Sequence, residues 1–594
     1  MIGLTPYMIT KQVFLLSNAY VVCSPYLVTL CKRIREVLFK MNLFALPPAI
    51  RIVAMVPRGF IITIRPLSTA TRIPRTRTYS NALNLLDSLQ SNRTVVTTIS
   101  STSTNMNQYA IPEMIEWAKK AGYDSSDFAR HGLRCIHVAG TKGKGSVCAM
   151  VENILKQFRS EDRNAPNLRQ RHLRKIGMYT SPHLVTVRER IRIDGSPISE
   201  SQFTHYFFEL WDRLCDVGHV PNLGDIHNSS NAKLGYFRFL TLLAFHTFIR
   251  EGVETAIVEC GIGGEYDSTN ILPHDAVSVT AVTRLGIDHV GMLGDSIEQI
   301  AWHKAGIMKP SVPMFSVLQA PEAQMVLDTR AKEKGVLVEY VPRSSHLEGD
   351  SIRLGLEGDF QKDNASLAMT IADRHLRNLE VSDSYSGSSL SNLFNRGLET
   401  VQLLGRCQVR KSGNIEWYID GAHTADSMQA TATWFGSKLS DAISSCNPPP
   451  ITMLIFNQQD RDAEELLRIL MNSLILVKPT SRAKIQSNVP TVVDFLGNRV
   501  FKFAAFCRNT VYQTDVEASA ELGVQEACGR LYQTFDHNSL YLCMGSVEEA
   551  VEMARRVSEG ELRVLVLVTG SLHLAGGILT LLDKEAQDDK LTGR

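Results

Sequence analysis

The residues that could do chemistry begin at Cys135-Ile-His-Val-Ala-Gly-Thr-Lys-Gly-Lys-Gly-Ser146. An apolar, strand-like run ends in a glycine-rich turn, and a helix-like segment follows at once. Backbone N–H groups of such a turn, with a helix N-terminus behind them, surround an anion, which is how nucleotide phosphates are held. The cradle is Gly140, Thr141, Lys142, Gly143, Lys144, Gly145 and Ser146. Lys144 has the reach for β- and γ-phosphate oxygens, and the Ser146 hydroxyl suits Mg2+. Gly145 separates Lys144 from Ser146, so the strict G-x-x-x-x-G-K-[ST] pattern is not met. The competing reading is a tight turn carrying an exposed lysine; glycine at 140, 143 and 145 beside a lysine and a serine favours the phosphate.

Further reactive side chains stand where other apolar runs end. Ser181 lies in Tyr179-Thr-Ser-Pro-His-Leu184, where Pro182 stops the run; it is a metal-ligand candidate or a turn residue. Glu259 closes Ala256-Ile-Val-Glu and precedes Cys260-Gly-Ile-Gly-Gly264, a position suited to a magnesium ligand, the alternative being a buried glutamate paired with a base. His289, next to Asp288, is a further ligand candidate. Lys304 falls in the last turn of a helix that Ser296 and Gln299 would cap and Gly306 would stop, so spacing alone makes it a helix-end cation. Arg406 suits a transferring phosphoryl group, and Asp420, after Trp417–Ile419, suits a ribose hydroxyl or magnesium.

Positioning these residues takes a parallel sheet. Runs at 136–139, 176–179, 255–259 and 276–282 read as buried strands, each reaching a polar or glycine-rich loop. Helix-like segments alternate with them. After residue 146, Val147, Met150, Val151, Ile154, Leu155 and Phe158 recur at spacings of three and four. A second series of strands is read at 417–419, 452–456, 500–506 and 562–568. The expected fold is α/β: a mostly parallel sheet covered by helices on both faces at 79–393, then a second, smaller α/β domain at 394–594. Charged or polar stretches at 159–174, 216–231 and 382–392 read as surface excursions, the last near the domain boundary.

A chain of 594 residues is too long for a single core. A net charge of +2 offers no field for nucleic acid. Eleven cysteines without C-x-x-C pairs fit a reducing compartment better than a disulfide or zinc framework. Residues 1–78 form a leader whose acid-poor, Arg- and Ser-containing sequence reads as a mitochondrial transit peptide, the segment from Met55 especially, or as a disordered extension. The apolar stretch 13–30 is broken by Ser, Asn, Tyr, Cys and Pro and makes no stable membrane span.

Taken together, the chain resembles the folylpolyglutamate synthase family, a branch of the Mur-type ATP-dependent amide ligases. The resemblance runs from about Tyr79 to Leu582 and implies that the first domain is a P-loop-like α/β ATPase and the second a smaller Rossmann-like α/β domain. It rests on His137-Val-Ala-Gly-Thr-Lys-Gly-Lys-Gly-Ser146, Thr180-Ser-Pro-His-Leu184, Tyr236-Phe-Arg-Phe-Leu-Thr241, Glu259-Cys-Gly-Ile-Gly-Gly264, Asp288-His289, Lys304-Ala-Gly-Ile307, Asp420-Gly-Ala-His-Thr424 and Thr569-Gly-Ser-Leu-His573. It implies ATP as co-substrate and Mg2+ held by Ser181, Glu259 and His289, with Ser146 at the phosphates; a monovalent cation such as K+ is a further expected cofactor. It implies nucleotide contacts at Gln361, Asn364, Arg406 and Asp420, a Lys304 position that bacterial relatives can carbamylate, and His423 as a general-base candidate. Phe360 stands where a histidine is common, and Asn457-Gln-Gln-Asp-Arg-Asp462 lacks a glycine common before Asp-Arg-Asp. The implied activity is addition of L-glutamate to the γ-carboxylate of tetrahydrofolate and its polyglutamates, through an acyl phosphate. A dihydrofolate synthase, or an enzyme with both activities, is the alternative; a nucleotide-binding module without ligase activity is the alternative of another class. The expected setting is a monomer, in mitochondria (matrix or inner-membrane-associated) and cytoplasm.

Overall fold

The computed structural model describes residues 12–16, 19–23, 76–90, 109–159, 172–216, 234–348, 352–381, 388–459, 462–476, 500–512, 522–538, 540–560 and 562–592. Most of the expected leader lies outside the described residues, as do most of the excursions expected at 159–174 and 216–231, positions 382–387 of the third, and positions 460–461. The chain divides into two units, Met1–Arg77 and Thr78–Arg594. In the first, strands β1 (Gln12–Leu16) and β2 (Ala19–Cys23) pair antiparallel.

The second unit holds two sheets. The larger comprises β3 (Arg134–Ala139), β4 (Lys175–Tyr179), β5 (Ile191–Ile193), β6 (Ser196–Pro197), β7 (Val253–Glu259), β8 (Val277–Val282), β9 (Met314–Val317) and β10 (Val338–Val341). Their order is β10-β9-β8-β3-β7-β4-β5-β6, parallel from β10 to β4, with β5 and β6 antiparallel at one edge. The strands expected at 136–139, 176–179, 255–259 and 276–282 are β3, β4, β7 and β8, the central ones. They are mostly apolar and almost wholly buried because helices cover both faces. On one face Phe203, Phe207, Phe239 and Phe245 pack from helices Glu200–Asp216 and Tyr236–Glu251. On the other, Val147, Ile154, Leu367, Ile371, Phe394 and Leu398 pack from helices Lys144–Lys156, Gln361–Asn378 and Ser388–Glu399. The expected division at 393/394 falls inside the last of these helices.

The smaller sheet comprises β11 (Gln408–Ser412), β12 (Ile415–Ile419), β13 (Ile451–Phe456), β14 (Phe503–Cys507), β15 (Leu540–Met544) and β16 (Val564–Thr569), in the order β11-β12-β16-β13-β14-β15. Only β11 runs antiparallel. Helices Ala425–Ser445, Ala463–Leu476 and Gly523–Phe535 cover one face, and Val547–Ser558 and Leu572–Thr592 the other. Among the described residues no helix is long and apolar enough to cross a membrane.

Candidate functional site

β3 leads into the turn at Gly140, and helix Lys144–Lys156 begins right after Gly143. Gly143 must be glycine: its φ is 89°, and a Cβ there would overlap Asn364 Oδ1. The first N–H groups of the helix have no intrahelical acceptor and remain open to an anion. Those of Thr141 and Lys142 are engaged instead, each donating to Arg284 O at 3.0 Å. The Lys142 side chain pairs with Asp288 at 3.5 Å. So these two residues brace the cradle through their amides rather than line it, a correction to the expectation from the motif.

Lys144 Nζ donates to Gly140 O at 3.0 Å, and Lys304 Nζ donates to the same oxygen at 2.8 Å. Lys304 is therefore not the solvent-facing helix-end cation that spacing suggested. Ser296 and Gln299 do form the capping box, and the helix is Ile297–Ala305, but its last turn drives the amine inward, where it is 3% exposed. Burial, then the neighbouring Lys144 charge, lowers its pKa to about 7. Two lysine amines converge on one carbonyl with, among the described residues, no carboxylate in hydrogen-bond contact with either, an arrangement that favours an incoming anion.

Glu259, at the tip of β7, is buried. Its Oε2 accepts the Ser181 N–H at 3.1 Å, which ties the tip of β4 to that of β7. Burial raises its pKa; the charges of Lys144, Arg406 and Arg190 and the Ser181 hydrogen bond oppose that. A Cβ on Gly145 would meet the Glu259 carboxylate at 3.8 Å, so the carboxylate lies directly against the phosphate loop. Gln361 Nε2 donates to Ser146 Oγ at 3.3 Å, and Asn364 Nδ2 to Gln361 Oε1 at 2.9 Å. The first turn of helix Gln361–Asn378 thus reaches the loop, and Phe360 is its N-cap. The hydroxyls of Ser146 and Ser181 with the Glu259 carboxylate make a hard oxygen set of the kind magnesium prefers. His289 is exposed, at a φ of 52° ahead of the short helix Val290–Leu293. Among the described residues no three His, Cys, Asp or Glu side chains gather as a metal group.

The smaller sheet approaches this corner. Leu184 O lies against Gly576, and the Leu184 side chain against Gly405. Asp426 Oδ2 lies near Gly286, beside Thr141. Trp434 Nε1 and Lys438 Nζ donate to Glu357, each at 2.8 Å. Arg406 is half-buried, close enough for its charge to act on Glu259. Asp420, just past β12, accepts the Cys407 N–H at 2.8 Å and, from helix Ala425–Ser445, the Thr431 hydroxyl at 2.9 Å. Its sequence position suggested a ribose or metal contact; these two hydrogen bonds fix the carboxylate at the strand tip. His423 Nδ1 contacts Gly421 O at 2.8 Å.

Sequence reasoning missed Arg190, whose Nε donates to His183 Nδ1 at 2.9 Å. Burial, then the Arg190 charge, then His573, takes the His183 pKa down to about 4. Nothing local marked Arg190; His183 lay within a quoted motif unassigned.

Two parallel-dominated sheets, with a phosphate-type loop on the larger and cations from beside both sheets around it, define a two-domain α/β protein of the Mur-ligase type. No family model matches the chain. It is 40% identical over 516 residues to folylpolyglutamate synthase of Saccharomyces cerevisiae strain FostersO, which covers 86% of this chain and 87% of that one. Its fold is similar to that of Mycobacterium tuberculosis folylpolyglutamate synthase complexed with ADP and AMPPCP (TM-score 0.57, 22% identity, 80% of this chain and 94% of that one). It is also similar to that of E. coli FolC in complex with DHPP and ADP (TM-score 0.55, 21% identity, 86% and 98%). The chain belongs to the folylpolyglutamate synthase family.

Proposed function

We propose that this chain is an ATP-dependent ligase that adds L-glutamate to the γ-carboxylate of tetrahydrofolate and its polyglutamates. The observation that carries this is the convergence of Lys144 and Lys304 on Gly140 O beside the Ser181–Glu259 pair, in a chain that belongs to this family.

A carboxylate is a poor electrophile. Its oxygen attacks the γ-phosphorus of ATP, ADP leaves, and the resulting acyl phosphate carries a good leaving group. The amine of glutamate attacks the acyl carbon and loses a proton, and phosphate departs with the former carboxylate oxygen. In this reading Lys144 and the first helix N–H groups hold phosphate oxygens. Gln361 and Asn364 hold the loop from its far side. Arg406 comes from the smaller sheet and offsets charge on the phosphoryl group. Ser146, Ser181 and Glu259, with His289 after movement of its exposed turn, would hold Mg2+, which supplies charge neutralisation when bound. A monovalent cation such as K+ is a further proposed cofactor. A Lys304 amine with its pKa near 7 is largely uncharged at slightly alkaline pH, the form that adds carbon dioxide to make a carbamate. His423 is the proposed base for the glutamate ammonium. The ligase works as a monomer.

The test is phosphate release from ATP that requires both tetrahydrofolate and L-glutamate, with the product one glutamate longer by mass. Release with neither acceptor would leave only a nucleotide-binding module. Turnover with dihydropteroate would instead assign dihydrofolate synthesis, alone or in addition.

A further inference from the structure

The loop from Ser181 to Arg190 is unusually well fixed. The Glu189 carboxylate gathers the N–H groups of Leu184, Val185 and Thr186 at 2.6–2.9 Å. The turn Val187–Arg190 is closed by a Thr186–Glu189 capping box, and Thr180 N donates to Arg190 O at 3.1 Å. At one end the Ser181 N–H holds Glu259; at the other Leu184 packs against Gly405 and Gly576 of the smaller sheet's unit. His183 stands between these anchors, two residues from the Ser181 N–H that holds Glu259 and next to the Leu184 that meets the smaller sheet's side.

The Arg190 contact decides the state of that imidazole. An arginine Nε–H can only donate, so the nitrogen that receives it, His183 Nδ1, carries a lone pair and no proton. The ring is therefore neutral, and its single N–H is at Nε2. Arg190 is itself buried and lies over the Tyr236 ring at 5.7 Å, which leaves it little freedom to turn away. The Nε2–H makes no hydrogen bond to any described residue. Across the seam, the side chain of His573 at the start of helix Leu572–Thr592 comes near enough for its charge to act on His183.

We propose that His183 is a substrate-binding residue whose Nε2–H donates to the acyl oxygen of the folate γ-carboxylate, and that Arg190 is the positioning residue that fixes this tautomer. This rests on the ligase reading above. The carboxylate charge leaves that oxygen when the acyl phosphate forms and builds on it again, in full, when the glutamate amine adds to give the tetrahedral adduct. A neutral donor stabilises that oxyanion without an ion pair that would hold the substrate carboxylate in its ground state. A merely structural role, in which the Arg190–His183 hydrogen bond only stiffens the loop, makes different predictions.

Two measurements separate these readings. In steady-state kinetics of the full chain, His183→Ala should lower kcat for ligation by roughly 10²–10³-fold, the usual loss for one such donor, with KM for ATP changed less than about threefold. His183→Gln keeps an N–H near the Nε2 position and should recover at least about tenfold of that loss. Independently, long-range 1H–15N NMR of the 15N-histidine-labelled protein, with His183 assigned by comparison with His183→Gln, should show the Nε2–H tautomer. Arg190→Met should shift it toward a tautomer mixture. A folded His183→Ala enzyme with kcat within about threefold of wild type would overturn the proposal. So would a His183 ring protonated at Nδ1, even if the alanine variant does not fold. If wild type shows no glutamate-dependent phosphate release, the ligase reading fails, while the NMR arm still decides the tautomer.

Discussion

At the scale of single residues, the site is a contest between burial and charge. Burial raises the Glu259 pKa, and the charges of Lys144, Arg406 and Arg190 and the Ser181 N–H oppose that rise, so a divalent ion bound there would further favour the carboxylate. Glu259→Gln should raise the Mg2+ concentration for half-maximal activity by roughly tenfold or more and also lower kcat, read from a magnesium titration of ligation. An unchanged magnesium requirement would remove Glu259 from the metal set. Lys304 has the opposite problem. Its folded pKa is lowered to about 7, below the unfolded value near 10.4, so the unfolded chain binds more protons between those values. The burial penalty is full below about pH 7 and is relieved as pH rises toward the unfolded value. Lys304→Met should therefore raise the melting temperature at neutral pH, by roughly a few degrees, while abolishing ligation. If the amine is carbamylated, wild-type activity should also depend on bicarbonate and rise through about pH 7.

At the scale of elements, the phosphate loop is a strand, a turn and a helix whose geometry admits few side chains. Gly143 sits at a φ of 89° against Asn364. Gly143→Ala should cost about 1–3 kcal/mol of stability and weaken ATP binding, measured by chemical denaturation and nucleotide titration. ATP affinity equal to wild type would mean that the turn does not hold phosphate. The strands legible from composition were those buried on both faces, such as β3, β7, β13 and β16. β9 and the strands at or next to the sheet edges, β5, β6, β10, β11 and β15, were not anticipated. β15 illustrates why: Leu540-Tyr-Leu-Cys-Met544 is apolar from end to end although Leu540 and Leu542 are exposed, and so short an apolar run does not distinguish a strand from a helix segment.

At the scale of the whole molecule, the smaller sheet's unit is tied to the larger through Glu357, Leu184 and the Asp426 corner. These contacts bring Arg406 within range of Glu259. In the proposed reaction, substrates meeting there would be shielded from water, which would protect an acyl phosphate from hydrolysis. Location is a property of the leader. We propose that residues 1–78 direct import into mitochondria, with a cytoplasmic pool beside it. Residues 1–91 and 55–91, fused separately to a fluorescent reporter, should each colocalise with mitochondria. If both stay diffuse in the cytosol, the transit-peptide proposal fails.

The alternation of apolar runs with helical spacing, the glycine-rich turn and the reactive residues at strand ends were all legible in the chain, because each is written within about twenty consecutive residues. Local periodicity and turn chemistry act over that range. What lay outside it needed packing. Lys304 reaches the carbonyl of a residue 164 positions earlier, and only the stacking of β8 beside β3 makes its helix end bury that amine. Asp420 stands at a strand tip like Glu259, yet Cys407 and Thr431 engage both its oxygens. His183 and Arg190 share one loop, but which nitrogen meets which donor depends on how that loop is clamped between two sheets. Sequence spacing says which residues can face a common edge; the partner of each polar atom is chosen by tertiary contacts, since a buried donor or acceptor must find the nearest complementary group wherever the fold brings it.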